Sequence, residues 1–199
     1  MTRSTDRRVT ANLNLTLDGR YHGPGGPGDF AAFAPYVATD VARGHLTAIW
    51  EGATTALLGR VNAEGFLGYW PSVAEDENAD PRDRGYAKWL VGTEKVVLST
   101  TLTEAPWDHA RVVNAPAADV VADLRATGSG DILVNSSPSV IKPLLAADLI
   151  DRLYLMIFPQ IAGGGQRLFD DGLPASTWTL TRQETGELGE IALVYDRAR

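Results

Sequence analysis

Three stretches of the chain place polar side chains directly after short apolar runs, where an open α/β sheet would present them at its edge. Gly59 and Arg60 follow the run Thr54–Leu58; Ser99, Thr100 and Thr101 end the run that starts at Lys95. Asn135, Ser136, Ser137 and Ser139 follow DILV (131–134) and lead into a helix-like stretch. A guanidinium at a strand's carboxyl end can grip a phosphate through two parallel charge-assisted bonds, and neighbouring hydroxyls complete such a pocket. In the third stretch the amides of a helix N-terminus form an anion site, to which the Asn and Ser side chains add donors. Arg60 also stands four residues before Glu64, the spacing of an ion pair on a helix surface. Spacing alone leaves both roles of Arg60 open.

Other chemistries find less support. His22, His45 and His109 are far apart and show neither HxH nor HExxH spacing, so no metal site is read and each is taken as a surface or loop histidine. The absence of cysteine removes disulfides, thiolate zinc sites, iron–sulfur clusters and a cysteine nucleophile. There is no G-x-S-x-G elbow, and the serines at 136 and 137 read as a helix N-cap. Gly163-Gly164-Gly165 fails the dinucleotide fingerprint, because Leu168 stands at the third glycine's place. That triplet reads as a flexible flap or a plain connection between strands.

The elements that must position these residues follow from period and punctuation. Val9 to Leu17 alternates apolar and polar residues as a strand does, ending at Asp18-Gly19. HGPGGPGD (22–29) is too rich in Gly and Pro for regular structure and reads as mobile. A helix is predicted over Tyr36–Trp50 and another over Arg60–Phe66; residues 71–85 read as an acidic surface loop, and Ala87–Val91 as a short helix. Strands are predicted at 54–58, 95–99, 111–114, 131–134, 152–158, 178–184 and 190–196, with helices at 117–126 and 139–147. Strand–helix units followed by consecutive strands imply an α/β fold: a mostly parallel sheet with an antiparallel edge. No linker or repeat interrupts the chain, so one domain is expected over residues 1–199.

With 25 acidic against 18 basic residues and a net charge of −7, no basic face is available for nucleic acid. Arg3, Arg7 and Arg8 read as a solvated tail. No apolar stretch approaches the ~20 residues of a membrane span, and no signal-like segment opens the sequence. A soluble, cytoplasmic protein is the expectation.

Five ordered segments add to this. LTLDGRY (15–21), LLGRVNAEGF (57–66) with Trp70 after it, KVVLSTTL (95–102) and DILVNSSPSVIKPLLAADLIDRLYLMIFPQIAGGGQRLF (131–169) resemble the dihydrofolate reductase-like superfamily. Within it they are similar to the riboflavin-biosynthesis reductase branch, the RibD C-terminal domain. The resemblance implies a three-layer α/β/α fold and hydride transfer from NADPH to a ribosylated aminopyrimidine or pterin-like heterocycle. It implies that Gly59, Arg60, Ser99, Thr100 and Thr101 hold the cofactor's 2′-phosphate. The turn from Asn135 through Ser136, Ser137 and Ser139 to Val140 takes the pyrophosphate. Asp18 and the first strand's Asn12, Asn14 and Thr16 line the nicotinamide and substrate cleft, with Trp70, Gly163 and Gly164 nearby, and Asp29 stands near the place of the family's acid. A homodimer is implied as well. The chain departs from the pattern at Ser136, where glycine is usual, at Asn62, where threonine is usual, and at Thr16, where serine is usual. It also carries no zinc-bearing deaminase segment. A non-catalytic or divergent nucleotide-binding protein on the same fold is the alternative.

Overall fold

The computed structural model describes residues 7–199. In chain order the elements are β1 (Val9–Thr16), α1 (Asp40–Trp50), β2 (Ala53–Gly59), α2 (Arg60–Glu75), α3 (Pro81–Gly92), β3 (Glu94–Leu98) and β4 (Ala110–Val113). They continue with α4 (Ala117–Ala126), β5 (Asp131–Asn135), α5 (Pro138–Ala146), β6 (Arg152–Phe158), β7 (Thr177–Thr185) and β8 (Ile191–Ala198). The strands form one sheet of eight in the order β4-β3-β2-β5-β1-β6-β8-β7. β1 to β6 run parallel, whereas β8 is antiparallel to β6 and β7 antiparallel to β8. This is the expected α/β sheet with an antiparallel C-terminal edge.

Side-chain alternation sorts the core onto the two faces. Val9, Ala11, Leu13 and Leu15 of β1 pack with Val120, Val121 and Leu124 of α4 and Val140, Ile141 and Leu144 of α5. The opposite face carries α1, α2 and α3, where Ile49, Ala63, Leu67, Tyr86 and Leu90 meet Leu58, Val97 and Leu133. β2 is covered on both faces: Leu57 and Leu58 are fully buried, one in each cluster. Each such leucine contributes about 1.5–3 kcal/mol of transfer free energy.

Four expectations are corrected. Residues 71–85 are not a loop: α2 runs through Pro71 to Glu75, and α3 starts at Pro81. Asp80 caps α3 by accepting the Arg82 amide at 2.9 Å, with proline in the first turn. The acidic charge there is matched by Arg43, which pairs with Asp80 and Asp83, and by Arg82, which pairs with Asp40 and Asp80. Second, the helix expected from Tyr36 begins only at Asp40, after a cap by Thr39 on the Ala42 amide.

Third, Arg7 is no tail. It is 5% exposed and donates to the carbonyls of Leu124, Thr127 and Gly130 and to the hydroxyls of Thr54 and Thr55. Its guanidinium thus joins the end of α4 to the starts of β2 and β5. Arg3 lies outside the described residues. Fourth, His45 is neither a surface nor a loop histidine but is buried within α1, whereas His22, also buried, does lie in a loop as expected. His45 sits on α1 against Tyr154 with both ring nitrogens unpartnered, and burial, then the nearby Arg182 charge, pushes its pKa down to about 4. Lys95, also buried, donates to the carbonyls of Leu90, Val91 and Thr93, closing the C-terminus of α3.

Candidate functional site

The carboxyl ends of β2, β3 and β4 face a groove of 380 Å³. Arg60, Ser99, Thr100, Thr101, Ser139 and Val140 line it, as do Val61, Asn114, Ala115 and Ala117. Three helices, α2, α4 and α5, begin at this groove, and their N-cap residues Gly59, Pro116 and Ser137 make no side-chain capping bond. The helices α1 and α3 are capped by side chains of Thr39 and Asp80. Uncapped amides and the positive ends of three helix dipoles therefore converge on one concavity, an arrangement that favours an anion.

Gly59 explains how the groove comes to be so shallowly floored. A Cβ at this position would come within 2.5 Å of Ser139 Oγ, so any residue but glycine requires that hydroxyl to rotate away. The Gly59 amide donates to Ser137 Oγ at 3.0 Å, and that hydroxyl donates to the Asn135 carbonyl at 2.9 Å. Ser137 is the N-cap residue of α5, as expected, but its side chain is spent on joining β2 to the β5–α5 turn rather than on a capping bond. Arg60 is half exposed and pairs with Glu64 through both carboxylate oxygens at 2.9 Å.

A second feature lies over the centre of the sheet. Asn14 is the one exposed residue of β1, and it points to the face of α1–α3 because Leu13 and Leu15 point to the other. On that face α1 packs on β6 and β8, while α2 packs on β2 and β3. The helix layer therefore leaves the Asn12–Asn14 stretch of β1 partly uncovered, whereas Leu133 and Asn135 of β5 lie buried under Tyr86 of α3. Beside that stretch Asn135 at the end of β5 is fully buried and its Nδ2 donates to the Tyr86 hydroxyl at 2.5 Å, leaving Oδ1 unpartnered. Trp70 stacks edge-on against Tyr86, with ring centroids 4.6 Å apart.

At the carboxyl end of β1 the chain is tied to the loop leaving β6. The Asp18 carboxylate accepts the Thr16 hydroxyl at 2.6 Å, Arg20 Nε at 2.9 Å, and the amides of Ala162 at 3.0 Å and Gly163 at 3.2 Å. The Thr16 hydroxyl, then the Ala162 amide, Arg20 and the Gly163 amide, hold this carboxyl well below the usual carboxylate range. Gly164 packs on Pro24, and Gly165 on the backbone of His22 and Gly23. The Asp29 carboxylate accepts the Gly25 amide at 3.0 Å and closes the 22–29 segment on itself.

Of the residues singled out from sequence, Arg60, Ser99, Thr100, Thr101, Ser139 and Val140 share the groove, with Gly59 behind it. Asn12 and Asn14 lie on the partly uncovered face of β1, Thr16 and Gly163 meet around Asp18 at its end, and Gly164 packs on Pro24. Asn135 and Ser137 are buried with their side chains engaged inward, and Asp29 is confined to its own loop. Sequence reasoning missed Asn114, Ala117 and Tyr86. The Asn-Ala-Pro triplet at 114–116, between a strand and a helix, was the signal available for the first two.

A mostly parallel sheet with antiparallel C-terminal edge strands, and a groove at the carboxyl ends of its parallel strands, defines an α/β domain of dihydrofolate reductase-like class. The chain belongs to the RibD C-terminal domain family, which it matches over residues 7–190. It is thereby placed among the oxidoreductases of the riboflavin-biosynthesis reductase family. A solved protein from Shewanella sp. PV-4 assigned to riboflavin biosynthesis superposes with a TM-score of 0.73 at 21% identity, over 96% of this chain and 99% of that one. The Thermotoga maritima diaminohydroxyphosphoribosylaminopyrimidine deaminase/5-amino-6-(5-phosphoribosylamino)uracil reductase gives 0.66 at 14% identity, over 97% of this chain but 57% of that one. Dihydrofolate reductase from Enterococcus faecalis, complexed with NADP(H), gives 0.57 at 14% identity over 96% and 97%. No curated protein matches the sequence.

Proposed function

We propose that this protein is an NADPH-dependent reductase of a ribosylated aminopyrimidine or pterin-like heterocycle, of the 5-amino-6-(5-phosphoribosylamino)uracil reductase type. The observation that carries the reading is the convergence of Arg60, Ser99, Thr100, Thr101 and three uncapped helix N-termini on one groove. Among the described residues the groove lining offers one guanidinium and several hydroxyls and includes no carboxylate, which suits a phosphorylated nucleotide. When bound, NADPH supplies the hydride.

The chain's own residues do the rest. Arg60, released from Glu64, pairs with the 2′-phosphate together with the hydroxyls at 99–101, and the 135–140 turn with the start of α5 receives the pyrophosphate. The heterocycle enters the opening over β1, where the free amide of Asn14 reads its polar edge and Trp70 borders it. Asp18 serves as an ionised tether rather than a proton donor, because its oxygens already accept four donors. The proton comes from water admitted by the opening, and the protein's task is to align donor and acceptor carbons about 3–3.5 Å apart. The unpaired outer edge of β7 is the surface we assign to a homodimer.

Titration of the purified protein with NADPH and NADH, read by tryptophan quenching, is the test. A preference for NADPH of roughly 10- to 150-fold is expected from a charge-assisted phosphate contact, followed by NADPH oxidation on adding an aminopyrimidine ribotide. Absence of binding by either nucleotide would overturn the proposal.

A further inference from the structure

We propose that Asn12 and Asn62 are positioning residues that hold Ser136 in a backbone conformation glycine would adopt unaided, and so set the turn that opens α5 onto the groove. Ser136 has φ of +46°, in the left-handed region where a Cβ crowds the following carbonyl. A serine stays there only if its surroundings over-determine it. Here they do. Both halves of the Asn12 amide are spent on this one residue: Oδ1 accepts the Ser136 amide at 3.1 Å and Nδ2 donates to Ser136 Oγ at 2.9 Å. From the third residue of α2, Asn62 Nδ2 donates to the Ser136 carbonyl. The N–H, the hydroxyl and the C=O of Ser136 are therefore each engaged by a side chain from β1 or α2.

The clamp joins the two halves of the site. Asn12 lies on the strand face that Asn14 exposes to the opening, and Ser136 precedes Ser137, whose hydroxyl fixes the end of β2. With its amide committed to Ser136, Asn12 acts through that residue, which leaves Asn14 as the strand's amide for substrate. Among the described residues Asn14 makes no side-chain hydrogen bond of its own. The inference rests on the proposed cofactor groove for its consequence, but the clamp itself is a property of the unliganded fold.

A double-mutant cycle of N12A and S136G tests it, read both by thermal unfolding without ligand and by the NADPH dissociation constant. N12A alone should weaken NADPH binding about tenfold and lower Tm by about 2–4 °C. In the S136G background, where the left-handed turn carries no Cβ penalty, the same substitution should cost about threefold or less and a smaller Tm shift. N62A should show the same dependence on the S136G background. If N12A does not fold, the N12A/S136G double variant should, and failure of that rescue overturns the proposal. Equal losses in both backgrounds also overturn it. Absence of NADPH binding to the wild type sinks the reductase reading instead, and the unliganded thermal cycle then decides the clamp by itself.

Discussion

The carboxylate of Asp18 and the amide of Gly163 meet at 3.2 Å across 145 residues of sequence, so the end of the first strand sets the course of the glycine loop that leaves β6. D18N keeps one acceptor oxygen and turns an NH₂ group toward donors. The expected loss is about 2–4 kcal/mol of stability in denaturant melts, with faster amide exchange at Ala162 and Gly163. Because the folded carboxyl lies below its ordinary value, the stability it supplies is present above about pH 4 and falls away as pH drops below that.

His45 gives a second pH dependence. Its folded pKa of about 4 lies below the ordinary 6.5, so the unfolded chain takes up the proton first as pH falls. Stability from this residue is complete above about pH 6.5 and is lost progressively between 6.5 and 4, by about 2–4 kcal/mol in all. H45L should flatten the stability profile across that window. A profile with unchanged slope would remove His45 from the account.

Gly59→Ala places a Cβ within 2.5 Å of Ser139 Oγ. Turning the Ser139 hydroxyl out of its present rotamer should cost about 1 kcal/mol and weaken NADPH binding more than general destabilisation does. Pairing it with S139A should restore part of both. A G59A variant with wild-type affinity would show that the approach of β2 to α5 does not shape the groove.

Opposite effects are expected at the two ends of one ion pair. R60A should erase most of the roughly 10- to 150-fold preference for NADPH over NADH, whereas E64Q, which frees the guanidinium, should increase it. The pair itself is half exposed and contributes little to stability, about 0.3–0.5 kcal/mol. Nucleotide titrations of both variants separate these outcomes.

Lys95→Met leaves the carbonyls of Leu90, Val91 and Thr93 without their shared donor at the end of α3. A loss of about 2–3 kcal/mol is expected, together with looser packing of α3 seen by exchange of its last-turn amides. No change in stability would mean that water replaces the ammonium at no cost.

Legibility in sequence followed the range of the forces involved. The helix at 117–126 and the strand at 152–158 fall where period and punctuation put them, because each depends on its own apolar spacing. Residues 71–85 looked like a loop because their acidic charge finds Arg43 on another helix, and because Pro71 is accommodated within α2. Arg7 looked like a tail because its partners lie near residues 54 and 124–130. The groove was legible as strand ends carrying Arg, Ser and Thr; the contribution of α4 was not, since an uncapped helix start advertises no residue type. Asn62 and Ser136 were each visible as departures from the family pattern, but only the fold brings one against the carbonyl of the other.

The sheet order bears on how the chain acquires its structure during synthesis. β1 is made before the strands it pairs with on its two sides, β5 and β6, and its register partners span residues 132–135 and 152–158. Until the ribosome has delivered those segments, an apolar strand waits with both edges unpaired. β2 likewise closes against β5 only after three helices and two strands have intervened. Such a topology postpones its central contacts and makes folding slow relative to helical proteins of similar length. The nascent protein passes through a stage in which Val9, Ala11, Leu13 and Leu15 are open to wrong partners, and chaperone dependence or inclusion-body formation at high expression follows from the same arrangement that later buries them.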